Sequence, residues 1–225
     1  MNNRVLKLME ERTSVRAYLS QQPHWAQVRQ AVEASARAAS SKNIQPWTLE
    51  LLREEALSAL RHDYLKAFDE GIKPNPPYQY APQPMPDQWR ALARECGYDL
   101  FEHKGILRDD YEARRAHDRE NFEFFQAPGL FILSTRADAE RGNFLDCGMF
   151  LQNLILALES IGLGSCPQFS AVAYPEILRK HCPEADELFV CGLSFGIPDQ
   201  QAHINTFRTT RRPVQDWFHE YGDNI

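Results

Sequence analysis

The sequence predicts an α+β protein, because of the order in which helical and strand patterns follow one another. Apolar residues three and four apart favour helices, whereas short apolar runs favour strands. Helices are predicted at 4–11, 25–39, 54–68, 87–103, 108–126 and 143–161, and strands at 47–52, 130–135 and 189–195. The 225 residues are 43% hydrophobic and contain no internal repeat, so we expect a single domain over residues 1–225.

The first predicted strand and the helix beside it follow from local patterns. Residues 47–52 (WTLELL) form a short apolar run directly after Pro46, which is typical of a buried strand. A helical pattern resumes at 54–68. This order places a strand between the helices of the N-terminal third.

The segment that follows breaks the regular pattern. Six prolines lie between residues 69 and 87, together with Tyr78 and Tyr80, and this density excludes a helix or a central strand. Two polar helices come next, at 87–103 and 108–126. Because long irregular segments in compact domains tend to be lids or binding loops, we expect an inserted lid at about 69–125.

The helix predicted at 143–161 is apolar almost all round. Such a helix must be covered on more than one side, and we expect a partner subunit to supply part of the cover. Gly162 and Gly164 follow it, which favours helix termination. A dinucleotide-binding loop is disfavoured, because it would need a third glycine and a preceding strand.

Composition and charge exclude several classes of protein. With 25 basic and 31 acidic residues, the chain carries a net charge of −6 and is not expected to bind nucleic acid. The N-terminus lacks the apolar core of a signal peptide, and the most apolar stretch, 147–158, is too short to span a membrane. Five widely spaced cysteines without a Cys-x-x-Cys pair favour free thiols and a cytoplasmic location. Neither cysteines nor histidines have metal-ligand spacing, so no metal site is predicted.

Three polar segments are candidates for binding chemistry. Residues 12–16 (RTSVR) and 208–212 (RTTRR) each combine arginines with hydroxyl groups, which suits the oxygens of a phosphate. Two such clusters on an acidic chain suggest one small phosphate site, although a solvated turn explains either cluster alone. Residues 40–47 (SSKNIQPW) offer neutral donors and acceptors beside a tryptophan, as a polar heterocycle would need. A helix-to-strand turn explains part of that segment.

A fourth motif, at 192–196 (GLSFG), has the Gly-x-Ser-x-Gly pattern of a hydrolase nucleophile elbow. A serine hydrolase acting through Ser194 is therefore an alternative. Pro198 lies where the elbow helix would begin, and only 29 residues remain after Gly196 for the rest of a triad. Both observations count against this alternative.

Taken in order along the chain, these segments resemble the FMN-dependent nitroreductase family. The inserted segment is similar to the nitrobenzoate-reducing branch of that family in Tyr78-x-Tyr80, Cys96-Gly97, Gly105-Ile106, and Asn121 followed by Phe124-Phe125-x-Ala127-Pro128. The matching segments are 12–18 (RTSVRAY), 39–47 (ASSKNIQPW), Asp146 with 152–154, 162–165, 192–199 (GLSFGIPD) and 211–214 (RRPV). The resemblance extends over 4–60 and 125–220. It implies a mostly antiparallel central sheet flanked by helices, in an intertwined homodimer with FMN at the subunit interface.

The resemblance also implies roles for individual residues. The phosphate and ribityl chain of FMN would be held by residues of both basic clusters: Arg12, Thr13, Ser14, Arg208 and Arg211. Arg16 would reach the polar pyrimidine edge of the isoalloxazine. The opposite subunit would contribute Ser40, Asn43 and Gln45. Along the other side of the flavin, near N5, would lie Cys166, Pro167 and Gln168. Two departures from the family pattern are Cys166, where better-known members carry glycine or threonine, and Ala39, where proline is usual.

The activity implied is a ping-pong transfer of hydride from NAD(P)H, through bound FMN, to a small aromatic acceptor such as a nitroaromatic compound or a quinone. Candidate pocket walls for that acceptor are Tyr78, Tyr80, Phe124 and Phe125, whose alternative fate is core packing. No protein group is predicted as a catalytic acid or base. A flavin-binding protein without turnover stays open as a third class, and the sequence does not distinguish NADH from NADPH.

Overall fold

A computed structural model describes residues 3–222. In it the chain forms a four-stranded sheet. The strands are β1 (Thr48–Arg53), β2 (Gly129–Thr135), β3 (Gly164–Gln168) and β4 (Leu188–Gly196). Their order is β1-β2-β4-β3, and every neighbouring pair is antiparallel. The predicted α+β class and antiparallel sheet are confirmed.

Within the described residues, seven α-helices flank the sheet. They are α1 (Arg4–Glu11), α2 (Trp25–Ser35), α3 (Glu54–Asp69), α4 (Asp87–His103), α5 (Tyr111–Phe122), α6 (Arg141–Ser160) and α7 (Pro175–His181). Among shorter 3-10 turns, those at Ser41–Asn43 and His203–Thr206 bear on the site described below. The sequence patterns missed β3 and α7. They extended α2 by four residues at its end, and α5 by three residues at its start and four at its end.

The two faces of the sheet carry separate cores, because alternate residues of a strand point to opposite faces. Leu130 and Ile132 of β2 pack with Tyr64 of α3 on one face. Phe131 and Leu133 pack with α6 on the other. The sheet is therefore buried on both sides.

Helix α6 ends at the glycines, as predicted. Gly162 adopts a positive φ of 81°, and the backbone N–H of Leu163 donates to the carbonyl of Leu158 at 3.0 Å. Glycine adopts this left-handed conformation without steric cost, so it closes the helix and turns the chain into β3. The apolar surface of α6 is largely covered within the chain, but Leu145 stays 66% exposed.

The segment from 69 to 125 lies on the first face. Its first part is irregular up to α4, where every residue keeps some exposure to solvent. Lys104 then connects α4 to α5 through an ion pair with Glu120, with 2.5 Å between Nζ and Oε2. Helix α5 packs on α3 and leads back into β2.

Candidate functional site

A basic cavity of about 290 Å³ lies where the two ends of the chain meet. It is lined by both arginine clusters that the sequence analysis singled out, with a few neighbours: Met9, Glu10, Arg12, Thr13, Ser14, Arg16, Phe207, Arg208, Thr209 and Arg211. The structure thus brings together residues that are almost two hundred positions apart.

The N-terminal wall of this basic cavity is held against β3. Ser14 forms a parallel bridge to Ser165, and the N–H of Val15 donates to the Ser165 carbonyl at 3.0 Å. Gly164 permits this approach, because a Cβ at that position would lie 2.4 Å from a methyl carbon of Val15. Thr13 reaches the C-terminal wall, donating from Oγ1 to the Phe207 carbonyl at 3.5 Å.

The charge of the basic cavity is strongly unbalanced. Four guanidinium groups line it against the single carboxylate of Glu10. Within residues 3–222, no carboxylate lies within 4.0 Å of any of the four guanidiniums. Three of these guanidinium groups donate instead to nearby backbone carbonyls, namely those of Arg16, Arg208 and Arg211. Such a cavity is suited to an anion, and arginine forks match phosphate oxygens.

Arg16 extends this positive charge along β3. Its Nη1 donates to the Ser14 carbonyl at 3.4 Å, and its guanidinium carbon lies 6.0 Å from the ring centroid of Phe125. Cys166 is buried on the same side, and burial raises the pKa of its thiol. The thiol is therefore neutral near pH 7 and adds no charge beside Arg16.

Gln168 has a buried side-chain oxygen that could accept a hydrogen bond from a ligand. Its side chain is 4% exposed, and Nε2 donates to the carbonyl of Asn121 at 3.0 Å. Its Oε1 is buried and accepts no hydrogen bond from the described residues. A buried acceptor of this kind costs free energy until a donor satisfies it. The neighbouring Pro167 side chain is exposed.

The candidates Ser40, Asn43 and Gln45 lie elsewhere, in the turn between α2 and β1. None of them lines the basic cavity. Asn43 and Gln45 have positive φ angles of 58° and 48°, and the turn is held by a bond from the N–H of Gln45 to Ser40 Oγ at 3.1 Å. Left-handed backbone in non-glycine residues is strained, and such strain clusters at functional sites.

The four aromatic candidates separate into two groups. Tyr78 donates from its hydroxyl to the Val190 carbonyl at 2.6 Å, and its ring lies 5.0 Å from that of Phe169. Tyr80 also contacts Phe169, at 5.4 Å between centroids, and is 77% exposed. Phe124 and Phe125 are instead buried.

The prediction that Phe124 forms a wall of the acceptor pocket is wrong. Phe124 is fully buried and packs on Tyr64 with 5.3 Å between ring centroids, so it belongs to the core and offers no surface to an acceptor. Phe125 is 6% exposed but lies beneath Arg16.

The hydrolase alternative is wrong on structural grounds. Ser194 lies within β4 with no exposure to solvent, and its Oγ donates to the Cys166 carbonyl at 3.3 Å. The strand continues to Gly196, so the sharp strand-to-helix turn that presents a nucleophile is missing from this described part of the chain.

Residues 3–222 hold neither a membrane-spanning helix nor a metal-binding cluster. No helix in that range combines the length and the apolar character needed to cross a bilayer. The same residues hold no group of three or more His, Cys, Asp or Glu side chains arranged to bind a metal ion. All five cysteines are free.

The fold places the protein among the nitroreductases of known structure. The FMN and NADPH-dependent nitroreductase NfnB from sphigopyxis sp. strain HMH superposes with a TM-score of 0.92 at 27% identity, covering 97% of this chain and 99% of that one. NfnB from Mycobacterium smegmatis, in complex with NADPH, gives a TM-score of 0.92 at 24% identity over 96% and 97%.

Sequence comparison gives the same answer. The model of the Nitroreductase family matches residues 9–197, and the chain belongs to that family. It is 30% identical to 4-nitrobenzoate reductase from Nocardioides sp. (strain LMS-CY), covering 92% of this chain and 85% of that one. It is 28% identical to chloronitrobenzene nitroreductase from Comamonas testosteroni over 93% of each chain. The predicted family, branch and oxidoreductase class are confirmed.

Proposed function

We propose that this chain binds FMN and transfers reducing equivalents from NAD(P)H to nitroaromatic compounds. The observation that carries the proposal is the basic cavity, in which four arginines from both ends of the chain face one carboxylate. A flavin phosphate carries about −1.5 to −2 charges near neutral pH, which matches the excess of positive charge. Nitroaromatic reductases among the relatives support the choice of acceptor.

The residues present fit FMN at both ends of the molecule. Arg12, Ser14 and Arg211 line the basic cavity and would hold the phosphate, with Thr13 and Arg208 beside them. Arg16 lies between the basic cavity and Phe125, where its charge would stabilise negative charge on the polar edge of the flavin. The unsatisfied Oε1 of Gln168 can accept a hydrogen bond from a bound group.

FMN would supply the redox chemistry when bound, namely hydride transfer from NAD(P)H to the acceptor in a ping-pong cycle. The protein would bind and orient both reactants, and Arg16 would place positive charge beside the flavin. The Cys166 thiol stays protonated at neutral pH, because burial raises its pKa. No residue is assigned as a catalytic acid or base.

A homodimer is part of the proposal. Exposed apolar side chains lie on α1 (Val5, Leu6, Met9) and near the C-terminus (Trp217, Phe218, Tyr221). A second subunit would cover such surfaces and bring its turn of Ser40, Asn43 and Gln45 to the flavin. Single exposed apolar residues are ordinary, but two groups of three at the chain ends favour an interface.

The inserted segment at 69–125 would form the acceptor pocket together with residues near β3. Tyr78 and Tyr80 flank Phe169, which directly follows Gln168. Aromatic faces favour a flat aromatic acceptor through stacking, and they give few directed bonds that would select one compound. Quinones would therefore also be accepted. The cytoplasmic location stays a prediction, and the five free cysteines agree with it.

The test is a visible absorption spectrum of the gel-filtered protein under anaerobic conditions. We expect a flavin spectrum that bleaches with NADPH or NADH and returns when 4-nitrobenzoate is added. A protein that stays colourless after incubation with FMN would overturn the proposal. A flavin that is neither reduced by NAD(P)H nor reoxidised by nitroaromatics or quinones would instead indicate a binding protein without turnover.

A further inference from the structure

The side chain of Asn205 makes four hydrogen bonds, although no sequence motif drew attention to it. Its Oδ1 accepts from the backbone N–H groups of Arg16, at 2.8 Å, and Ala17, at 3.2 Å. Its Nδ2 donates to the carbonyls of Ala17, at 2.8 Å, and Asp199, at 2.9 Å. This uses the full usual capacity of an amide side chain.

The bonds to Ala17 imitate a strand partner. One amide group pairs with both the N–H and the C=O of the same residue, as neighbouring strands do. The backbone on either side is already fixed by bridges, from Ser14 to Ser165 of β3 and from Tyr18 to Pro198, which follows β4. Between these bridges the Ala17 carbonyl also accepts from the N–H of Asp199 at 3.0 Å, and Asn205 satisfies the N–H groups of Arg16 and Ala17.

Asn205 also contacts the second basic cluster. Its own backbone carbonyl accepts from Nη1 of Arg208 at 2.9 Å. One residue therefore touches Arg16 through its side chain and Arg208 through its main chain. Both arginines line the basic cavity, one from each arginine cluster.

We propose that Asn205 is a positioning residue for the flavin site, which fixes Arg16 against the flavin's polar edge and holds the two arginine clusters in register. The inference rests on the proposed function, since it assumes that the basic cavity receives FMN. Asn205 is not a catalytic residue, because it acts through Arg16 and Arg208. Removing its side chain leaves the backbone N–H groups of Arg16 and Ala17 without their acceptor. The direction of the Arg16 side chain is then no longer fixed.

The experiment compares Asn205→Ala with the wild type in two measurements on the flavin itself. The first is the dissociation constant for FMN, measured with apoprotein by flavin fluorescence. The second is the affinity of bound flavin for sulfite, read from the visible spectrum, which rises with positive charge near the pyrimidine ring. We expect FMN to bind about tenfold more weakly, as for loss of hydrogen bonds that hold a charged ligand's partner. Sulfite affinity should fall by a factor of about five.

A double-mutant cycle separates positioning from general structural damage. In an Arg16→Met background, Asn205→Ala should leave sulfite affinity unchanged within twofold, because the charge that it orients is gone. The matched control is Thr206→Ala in the same turn, which loses the hydrogen bonds of the Thr206 hydroxyl with the His203 carbonyl, at 2.8 Å, and with His103 Nε2, at 3.3 Å, and leaves Arg16 untouched. This control should keep both flavin readings at the wild-type values.

Asn205→Ser provides a milder variant in case the alanine variant does not fold. It should weaken FMN and sulfite binding in the same direction by a smaller factor. Unchanged readings in a folded variant would overturn the inference and leave the proposed function standing. Loss of the fold in both variants would make Asn205 a general structural residue, which also overturns it. A wild-type protein that does not bind FMN would instead overturn the proposed function.

Discussion

The basic cavity and the inserted segment at 69–125 are held in the molecule by different kinds of contact. The N-terminal wall of the cavity is joined to β3 by the bridge from Ser14 to Ser165. It is joined to the turn at 203–206 by hydrogen bonds in which the N–H groups of Arg16 and Ala17 donate to Asn205 Oδ1. The inserted segment contributes Phe122 of α5 and Phe124 to the core. Partly exposed ion pairs join Lys104 to Glu120 within the segment and Arg119 to Asp69 at the end of α3. No residue of α4 within it is buried.

This difference indicates which part of the site is fixed and which part can vary. Hydrogen bonds between backbone groups, or between backbone and a side-chain amide, fix the relative positions of the segments that they join. Partly exposed ion pairs contribute little to stability and are screened by salt. We infer that the basic cavity binds the flavin, which is the same in every turnover, and that the inserted segment adapts to different acceptors.

Phe124→Ala should lower the free energy of unfolding by about 3–5 kcal/mol, because it empties a fully buried ring site against Tyr64. The matched change in the exposed helix, Trp89→Ala, should cost about 0.5 kcal/mol. Urea unfolding measures both. Equal losses would show that α4 is as much part of the core as the end of the segment.

Arg211→Ala should weaken FMN binding by a factor of about 10–150, corresponding to the loss of a hydrogen bond between charged groups. The neighbouring Arg212 does not line the basic cavity, so Arg212→Ala is the control and should change the dissociation constant by less than about threefold. Titration of apoprotein with FMN decides. Full affinity in the Arg211 variant would contradict the phosphate assignment.

Tyr80→Ala should raise the KM for 4-nitrobenzoate by a factor of about 2–10, which is the worth of one aromatic contact. Tyr80 is 77% exposed beside Phe169, so the fold and the FMN dissociation constant should stay as in the wild type. Steady-state kinetics under anaerobic conditions provide the measurement. A change in FMN affinity with an unchanged KM would show that Tyr80 contributes to flavin binding and not to acceptor binding.

Glu120 gives the smallest effect and a pH dependence. Burial raises the pKa of its carboxyl, but hydrogen bonds from His117 and Lys104 outweigh burial and leave the pKa below its usual value. The ionised form is therefore favoured by folding, and the stabilisation is present above about pH 4.3 and lost as pH falls further. Because the side chain is 42% exposed, solvent screening limits the contribution to about 0.5 kcal/mol.

The measurement for Glu120 is the difference in unfolding free energy between the wild type and Glu120→Gln. We expect the wild type to be more stable at pH 7 and the difference to vanish near pH 3. A difference that is constant over this range would show that the carboxylate charge does not hold the inserted segment.

Local patterns predicted those elements whose cause is local. The bounds of α4 were predicted at 87–103, where proline precedes a polar helical pattern, and the structure has Asp87–His103. Strand β3 was missed because its sequence, GSCPQ, contains glycine and proline and lacks a strand pattern. Proline is tolerated there because β3 is the last strand of the sheet, and the bridge from Ser14 on its outer side is at Ser165, two residues before Pro167.

The site was predicted in its chemistry but not in its assembly. Arginines and hydroxyls in two short segments indicated a phosphate, since their composition alone carries that information. Their meeting across the chain depends on β3, Gly164 and Asn205, and none of these stands at a spacing that a sequence pattern reports. Asn205 is an ordinary loop asparagine until its four hydrogen bonds are seen.

The central claim is that the two ends of the chain assemble one site for the phosphate of a flavin. It is tested most directly by titrating the apoprotein with FMN and with riboflavin, which differ only in that phosphate. We expect FMN to bind at least about a hundredfold more tightly, as several charge-assisted hydrogen bonds would give, and the advantage to shrink in added salt. Equal affinities for the two flavins would contradict the account.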